Sequence, residues 1–332
     1  MKPLIKLIQF SYLLRVTLAL LVGRDFYNRT LNSRLNLQSS DSQNLLLPFN
    51  VTRIPGSSGS RDVRKFIENH FKNLRTHWSY EPDCFTEKGF DFCNLVFTLG
   101  QNASSYLVLG AHYDSKITPE GFIGAVDSAA SCSILLYVSE FLSTYFDPSF
   151  DEFWSEDSHT LTEAFDGVKI VFFDGEEALE NWTSEDSIYG ARHLAADWSS
   201  SGLMDDIGLL VLLDLLGSAE NLEVPSFFQA SNEEYKALLS IEALNQDELP
   251  HNETLFDGSN LGYLESNRVV IGDDHLPFLA RGVSVLHLIP LPFPSYWHTI
   301  GDTFQEIDDT KVQNWAILLC EYAASRTVPK IW

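Results

Sequence analysis

Four apolar runs in this chain each end in polar residues, and segments of helical character lie between them. The runs are "SYLVLGAHYDS" (105–115), "VKIVFFDGEE" (168–177), "IGLLVLLDLLG" (207–217) and "GVSVLHLIP" (282–290). Short runs rich in Val, Leu, Ile and Phe, with no polar alternation, are strands buried on both faces. "AVDSAASCSILLYVSEFLSTYF" (125–146), "DSIYGARHLAADW" (186–198) and "KVQNWAILLCEYAASR" (311–326) read as helices. This alternation predicts an α/β fold with a mostly parallel central sheet flanked by helices on both faces.

Upstream, residues 53–74 read as a Gly/Ser loop followed by a helix. Ser60 is its candidate N-cap, and Val63, Phe66, Ile67 and Phe71 form its apolar stripe. "CFTEKGFDFC" (84–93) reads as a hairpin with a Lys-Gly turn, which brings Cys84 and Cys93 within bonding reach. A disulfide and two buried thiols both fit that reading. No cysteines stand in a CxxC pair, which argues against a cysteine-built metal site.

The chain has 332 residues, enough for one large domain. Residues 1–23 carry Lys2 and Lys6, then an apolar stretch interrupted by Arg15. They read as a signal peptide or signal-anchor, with an amphipathic helix as the alternative. Residues 24–50 are rich in Asn, Ser and Gln and read as a loosely packed polar lead-in. Residues 51–332 form the main domain, with 147–166 as an acidic surface insertion. Sequons at Asn28, Asn50, Asn102, Asn181 and Asn252 fit passage through the secretory pathway, either secreted or lumenal and with an N-terminal membrane anchor as one form. The formal net charge of −24 argues against nucleic acid as a partner, because phosphate binding needs a basic surface. A monomer is expected.

Ligands of an open parallel sheet bind beyond the carboxyl ends of its strands. Those ends carry His112 and Asp114, then Asp174, Glu176 and Glu177, then Asp214. Asp127 opens the helix after the first run. "GDDH" (272–275) precedes the fourth run, and His298 follows it. Individually these residues have ordinary explanations: an Asp at a strand end suits a turn, and Asp127 suits an N-cap. Together they are carboxylates that resist ionising side by side, and a dication resolves that conflict. Two histidines among carboxylates fit zinc, whereas calcium prefers oxygen alone. One glutamate of the Glu176–Glu177 pair can then bind metal while the other stays free as a base.

"LVLGAHYDS", "AVDSAASCSILL", "FFDGEEA", "DSIYGARHLA", "LLDLLG" and "DDHLPFLARGVSVLHLIPLPFPSYWHT", in this order and spacing, resemble the glutaminyl-peptide cyclotransferases (glutaminyl cyclases). That family shares a superfamily with zinc aminopeptidases. The resemblance implies a single α/β domain whose mixed sheet has an antiparallel portion, and makes 51–332 a zinc-dependent catalytic domain. It places the zinc ligands on Asp127, Glu177 and His298 and the general acid/base on Glu176. Asp214 and Asp273 then form an acidic network beside it, and Trp182, Phe293 and Trp297 wall the substrate pocket. The implied substrates are peptides or proteins with a free N-terminus. An N-terminal glutamine closes on its own side-chain amide to give pyroglutamate and ammonia, with one zinc polarising the carbonyl.

The alternative within the superfamily is a zinc aminopeptidase. It would use two zincs on His112, Asp127, Glu177, Asp214 and His298, all present here. The aromatic residues around the pocket favour the cyclase. This sequence departs from the animal cyclases at Ala111, where a cysteine is frequent, which leaves Cys132 without that partner. It departs again at Gly272, where a polar residue is common.

Overall fold

The computed structural model describes residues 23–100, 102–147, 165–258 and 271–327. Six strands form one sheet: β1 (Ser79–Glu87), β2 (Phe90–Leu99), β3 (Tyr106–His112), β4 (Gly167–Phe173), β5 (Ile207–Leu213) and β6 (Val285–Leu288). Their order is β1-β2-β4-β3-β5-β6. β4, β3, β5 and β6 run parallel, and the β1–β2 hairpin adds an antiparallel edge. The predicted mixed, mostly parallel sheet is the one observed.

Strand alternation divides the core between the two faces. Leu107, Leu109 and Ala111 of β3 join one apolar cluster with Val168, Ile170 and Phe172 of β4. Val108, Val171, Leu210 and Leu212 join the other. The first face is covered by α2 (Ser58–Lys72), α3 (Ala130–Tyr145) and α6 (Asp309–Arg326). α4 (Tyr189–Ser201) covers the second face, with the short helix Leu276–Leu279. α5 (Asn232–Asn245) packs against α6. The stretch Ala125–Tyr145 is long and apolar enough to cross a membrane, but it is buried in this core.

Cys84 and Cys93 face each other across the β1–β2 hairpin and are joined by a disulfide. The turn between the strands has Lys88 and Gly89 at φ 48° and 84°, the left-handed pair that a two-residue hairpin loop requires.

Three expectations are corrected. The cap of α2 is Ser57, whose side chain accepts from Ser60 N–H, so the helix begins earlier than its apolar stripe. The segment 24–50 is not loosely packed. Residues 23–34 are helical (α1), and Phe26, Tyr27, Leu31, Leu35, Leu45, Leu46 and Phe49 are buried in the core. Thr30 Oγ1 meets Tyr137 OH of α3 at 2.9 Å, and Arg34 Nε reaches Glu140 at 3.0 and 3.1 Å. Spaced apolar residues hidden among Asn and Ser made this segment read as solvated. Finally, Asp127 does not open the helix after β3, which begins at Ala130. It sits in a turn over Ala125–Ala129, ahead of α3, with non-helical backbone at Asp127 and Ser128. Residues 1–22 and most of the 147–166 insertion lie outside the described residues.

Candidate metal and active site

The C-terminal ends of β4, β3 and β5 lie side by side at the centre of the sheet, where the chain reverses its direction of strand addition. The acids that follow these strands therefore meet. Asp114 follows β3 and aims the pair after β4: its two oxygens accept from Glu176 N–H at 3.1 Å and Glu177 N–H at 3.2 Å. Gly175, at φ 77°, makes the turn that sends the two glutamates into the crevice.

Asp127 is placed by Asp302, whose carboxylate accepts from Val126 N–H at 2.8 Å and Asp127 N–H at 3.2 Å. Arg53 ties these loops together. Its fully buried guanidinium donates to the carbonyls of Tyr113 (2.7 Å), Ile123 (2.6 Å) and Gly124 (3.0 Å), and to that of Phe49 (2.9 Å). Sequence reading gave no role to Arg53 or Asp302, and counted Asp114 among the strand-end carboxylates without its anchoring role. Asp302, four residues after His298, was within its reach; Arg53, distant in sequence and bound only to carbonyls, carried no signal.

Asp127 faces two histidines. Its Oδ1 lies 2.9 Å from His112 Nε2, and its Oδ2 lies 3.4 Å from His298 Nε2. His298 Nε2 is also 3.5 Å from Glu177 Oε1. Glu177 Oε2 pairs with Lys116 Nζ at 2.9 Å. Burial opposes protonation of His298, but Asp127 and Glu177 outweigh it and lift its pKa to about 9.

Asp127, Glu177 and His298 bring their donor atoms within 4.8 Å of one another. Asp127 Oδ2 and Glu177 Oε1 are both buried without a hydrogen-bond partner among the described residues, and both point at His298 Nε2. Two anionic oxygens converging on one imidazole nitrogen demand positive charge between them; the protonated His298 supplies it here, and a metal ion held by all three would replace that proton. The mixed nitrogen and oxygen donors suit zinc. His112, Asp127 and Asp214 form a second such group on the other oxygen of Asp127. There Asp214 Oδ1 already accepts from Ser128 Oγ and from Leu215 N–H (2.8 Å), so that group is less free to bind. Asp273, His275 and His287 form a third group, fully buried, in which His287 Nε2 and Asp273 Oδ2 already meet at 2.6 Å.

Glu176 is not part of any of these groups. Burial raises its pKa well above the usual carboxyl range, and the negative charges of Glu177, Asp273 and Asp274 add to this while His112 opposes it. Asp273 is shifted the same way, first by burial and then by Asp214. A carboxyl whose charged form is disfavoured, beside a candidate metal site, is suited to taking and returning a proton.

These groups open into a cavity of about 450 Å³. Glu176, Asp127, Asp214 and His298 line its polar side, and Trp182, Phe293 and Trp297 its aromatic side. The Phe293 and Trp297 rings meet edge-on with centroids 4.8 Å apart, and Trp297 stacks on His298 at 3.7 Å. Trp182 is 44% exposed and rests over Gly272, where an added Cβ would lie 3.0 Å from the indole nitrogen. Asp273 does not line the cavity. It stands behind it, fully buried against His287. Asp127, Glu176, Trp182, Asp214, Phe293, Trp297 and His298 thus line one cavity, with Glu177 against His298 and His112 against Asp127, whereas Asp174, also singled out at a strand end, instead accepts from Cys93 N–H and Tyr113 OH.

Residues 94–323 match Peptidase family M28. A Saccharomyces cerevisiae protein described as uncharacterized is 46% identical over 345 residues, covering 96% of this chain and 95% of its own. The glutaminyl-peptide cyclotransferase of Drosophila melanogaster is 37% identical, with 88% of this chain and 81% of that protein covered. The crystal structure of Macrostomum lignano glutaminyl cyclase superposes with a TM-score of 0.72 at 34% identity, covering 85% of this chain and 87% of that one. The chain belongs to peptidase family M28 and, within it, to the glutaminyl-peptide cyclotransferase family.

Proposed function

We propose that this protein is a zinc-dependent glutaminyl-peptide cyclotransferase. It converts the N-terminal glutamine of a peptide to pyroglutamate and releases ammonia. The observation that carries this reading is a buried, unligated Glu176 beside the orphaned oxygens of Asp127 and Glu177, at the floor of an aromatic cavity. Asp127, Glu177 and His298 would hold the ion, which supplies Lewis acidity at the side-chain carbonyl when bound.

The remaining chemistry belongs to the chain itself. The N-terminal amine attacks the γ-carbon of its own glutamine, so the substrate must fold back on itself. Trp182, Phe293 and Trp297 enclose that compact form and keep water from competing. Glu176 takes the proton from the attacking amine and delivers it to the departing nitrogen, which leaves as ammonia. Beside it, Asp214 and Asp273 are fixed by Ser128 and His287; burial first, then the charges of Glu177, Asp273 and Asp274, holds the Glu176 pKa high.

The second reading, an aminopeptidase, draws on the His112–Asp127–Asp214 group. The occupied Oδ1 of Asp214 favours a single ion and hence the cyclase. Mass spectrometry of a Gln-Xaa-Xaa peptide incubated with zinc-loaded protein separates them. Loss of one ammonia from an intact chain is expected. Release of a free N-terminal amino acid overturns the cyclase reading.

We also propose that the protein enters the secretory pathway. The Cys84–Cys93 disulfide fits an oxidising compartment, and the five sequon asparagines are all exposed. A mobility shift on endoglycosidase treatment of the protein from its native cell is the expected result, and its absence contradicts glycosylation.

A further inference from the structure

A second cavity, of about 540 Å³, adjoins the catalytic one, and Trp182 lines both. Its character is the opposite. Four carboxylates line the catalytic cavity, but none lines the second among the described residues. Ile188, Leu276 and Pro277 contribute apolar surface, and Arg192 and Arg281 contribute charge. In a chain with 22 basic and 46 acidic residues, two arginines facing one hollow form a local reversal.

Arg281 has no carboxylate partner among the described residues; its Nη1 donates only to Pro277 O at 2.7 Å. Arg192 shares its charge with Glu87 at 3.2 Å and lies over the Tyr189 ring. Trp182, the partition, stands on a loop whose shape is fixed by Asp186. That carboxylate accepts from the N–H groups of Leu179, Glu180 and Asn181 at 2.9–3.1 Å.

We infer that this second cavity receives the downstream part of the peptide substrate and selects an acidic side chain beyond its second residue. The inference rests on the cyclotransferase reading for the identity of the ligand. The charges are arranged for it: a peptide amine at the acidic cavity, its chain crossing Trp182, and a carboxylate against Arg281. An extended chain advances ~3.3–3.6 Å per residue, so adjoining cavities are within reach of one short peptide.

The test uses C-terminally amidated Gln-Gly-Xaa-Ala peptides with Asp, Ala or Lys as Xaa, and the same series with Xaa one residue further on. Affinity is read by calorimetry at low ionic strength on the same series with Asn in place of the N-terminal Gln, whose side chain is too short to close the lactam, so the readout does not depend on cyclisation. Ammonia release is followed separately and reports on the cyclotransferase reading alone. The wild type is expected to bind the best-placed Asp peptide about 3–5-fold more tightly than its Ala counterpart, the range of a solvent-exposed ion pair. That ratio falls to about 1 in Arg281→Ala and reverses toward the Lys peptide in Arg281→Glu. Ratios are taken within each variant, so a general loss of activity cancels. Equal affinity for the Asp and Ala peptides in the wild type overturns the inference. So does an Asp preference that survives Arg281→Glu, or a gain seen only with a free C-terminal carboxylate.

Discussion

Asp114 shows how much one buried side chain decides here. One carboxylate accepts from both glutamate N–H groups and also lies 3.3 Å from His112 Nδ1. An asparagine has one acceptor oxygen, so Asp114→Asn leaves one glutamate unanchored. Metal affinity is expected to fall about 10–100-fold with the fold retained, measured by competition with a zinc chelator. His298→Ala removes a proposed ligand outright, and metal analysis after dialysis should find the purified protein largely zinc-free. Away from the site, His70 is buried beneath α3, with Nε2 at 3.1 Å from Leu136 O and 3.0 Å from Ser139 Oγ. Burial lowers its pKa from 6.5 to about 4, with Arg34 adding to this and the Leu136 carbonyl opposing it. The folded state therefore binds its proton less readily than the unfolded chain. Its contribution is complete above pH ~6.5 and is lost as pH falls through about 4, roughly 3 kcal/mol in all. Urea melts of the wild type and His70→Gln between pH 7 and 4 should converge as the pH drops. Parallel curves contradict this assignment.

At the scale of elements, the strand ends and their acids were legible because buried parallel strands announce themselves as apolar runs. The residues that aim those acids were less legible, because hydrogen bonds to backbone N–H groups leave no periodic trace. The loop between β4 and α4 is an example. Asp186 read as the start of a helix, but that helix begins at Tyr189, and Asp186 instead gathers three N–H groups and the Tyr189 hydroxyl (2.6 Å). Its pKa is about 2; the slight burial acts to raise it, and the hydrogen bonds from Tyr189 and the three N–H groups hold it down. Asp186→Ala frees the loop that carries Trp182. KM for a Gln peptide is expected to rise about 10-fold while kcat changes little; a fall confined to kcat contradicts this. Gly190 explains how α4 docks there at all. A Cβ at that position would lie 2.1 Å from Asn94 Oδ1 and 2.4 Å from Asp174 O. Gly190→Ala must push α4 away from the end of β4 and is expected to cost about 1–3 kcal/mol in thermal or urea unfolding.

At the scale of the whole molecule, the boundary drawn at residue 51 misjudged the N-terminal segment. Polar composition over 24–50 concealed seven buried apolar side chains, each contributing about 1.5–3 kcal/mol by burial. Protein starting at residue 51 would expose α3 along its contact with α1 and lose Phe49 O, one of the carbonyls that hold Arg53. Such a truncation is expected to be insoluble or to melt at least 10 °C lower, whereas a truncation that keeps residue 24 onward should fold. The proposed catalytic site draws on distant parts of this chain, from Asp127 to His298, around a glutamate that lies outside the candidate metal groups. The most direct test measures ammonia release and bound zinc together in the wild type and in Glu176→Gln. The wild type should carry one equivalent of zinc and release ammonia from an intact Gln peptide. The variant should keep its zinc and lose about 10²–10⁴ in kcat. Near-normal turnover in Glu176→Gln, or loss of zinc along with activity, would contradict the assignment of Glu176 as the free acid/base.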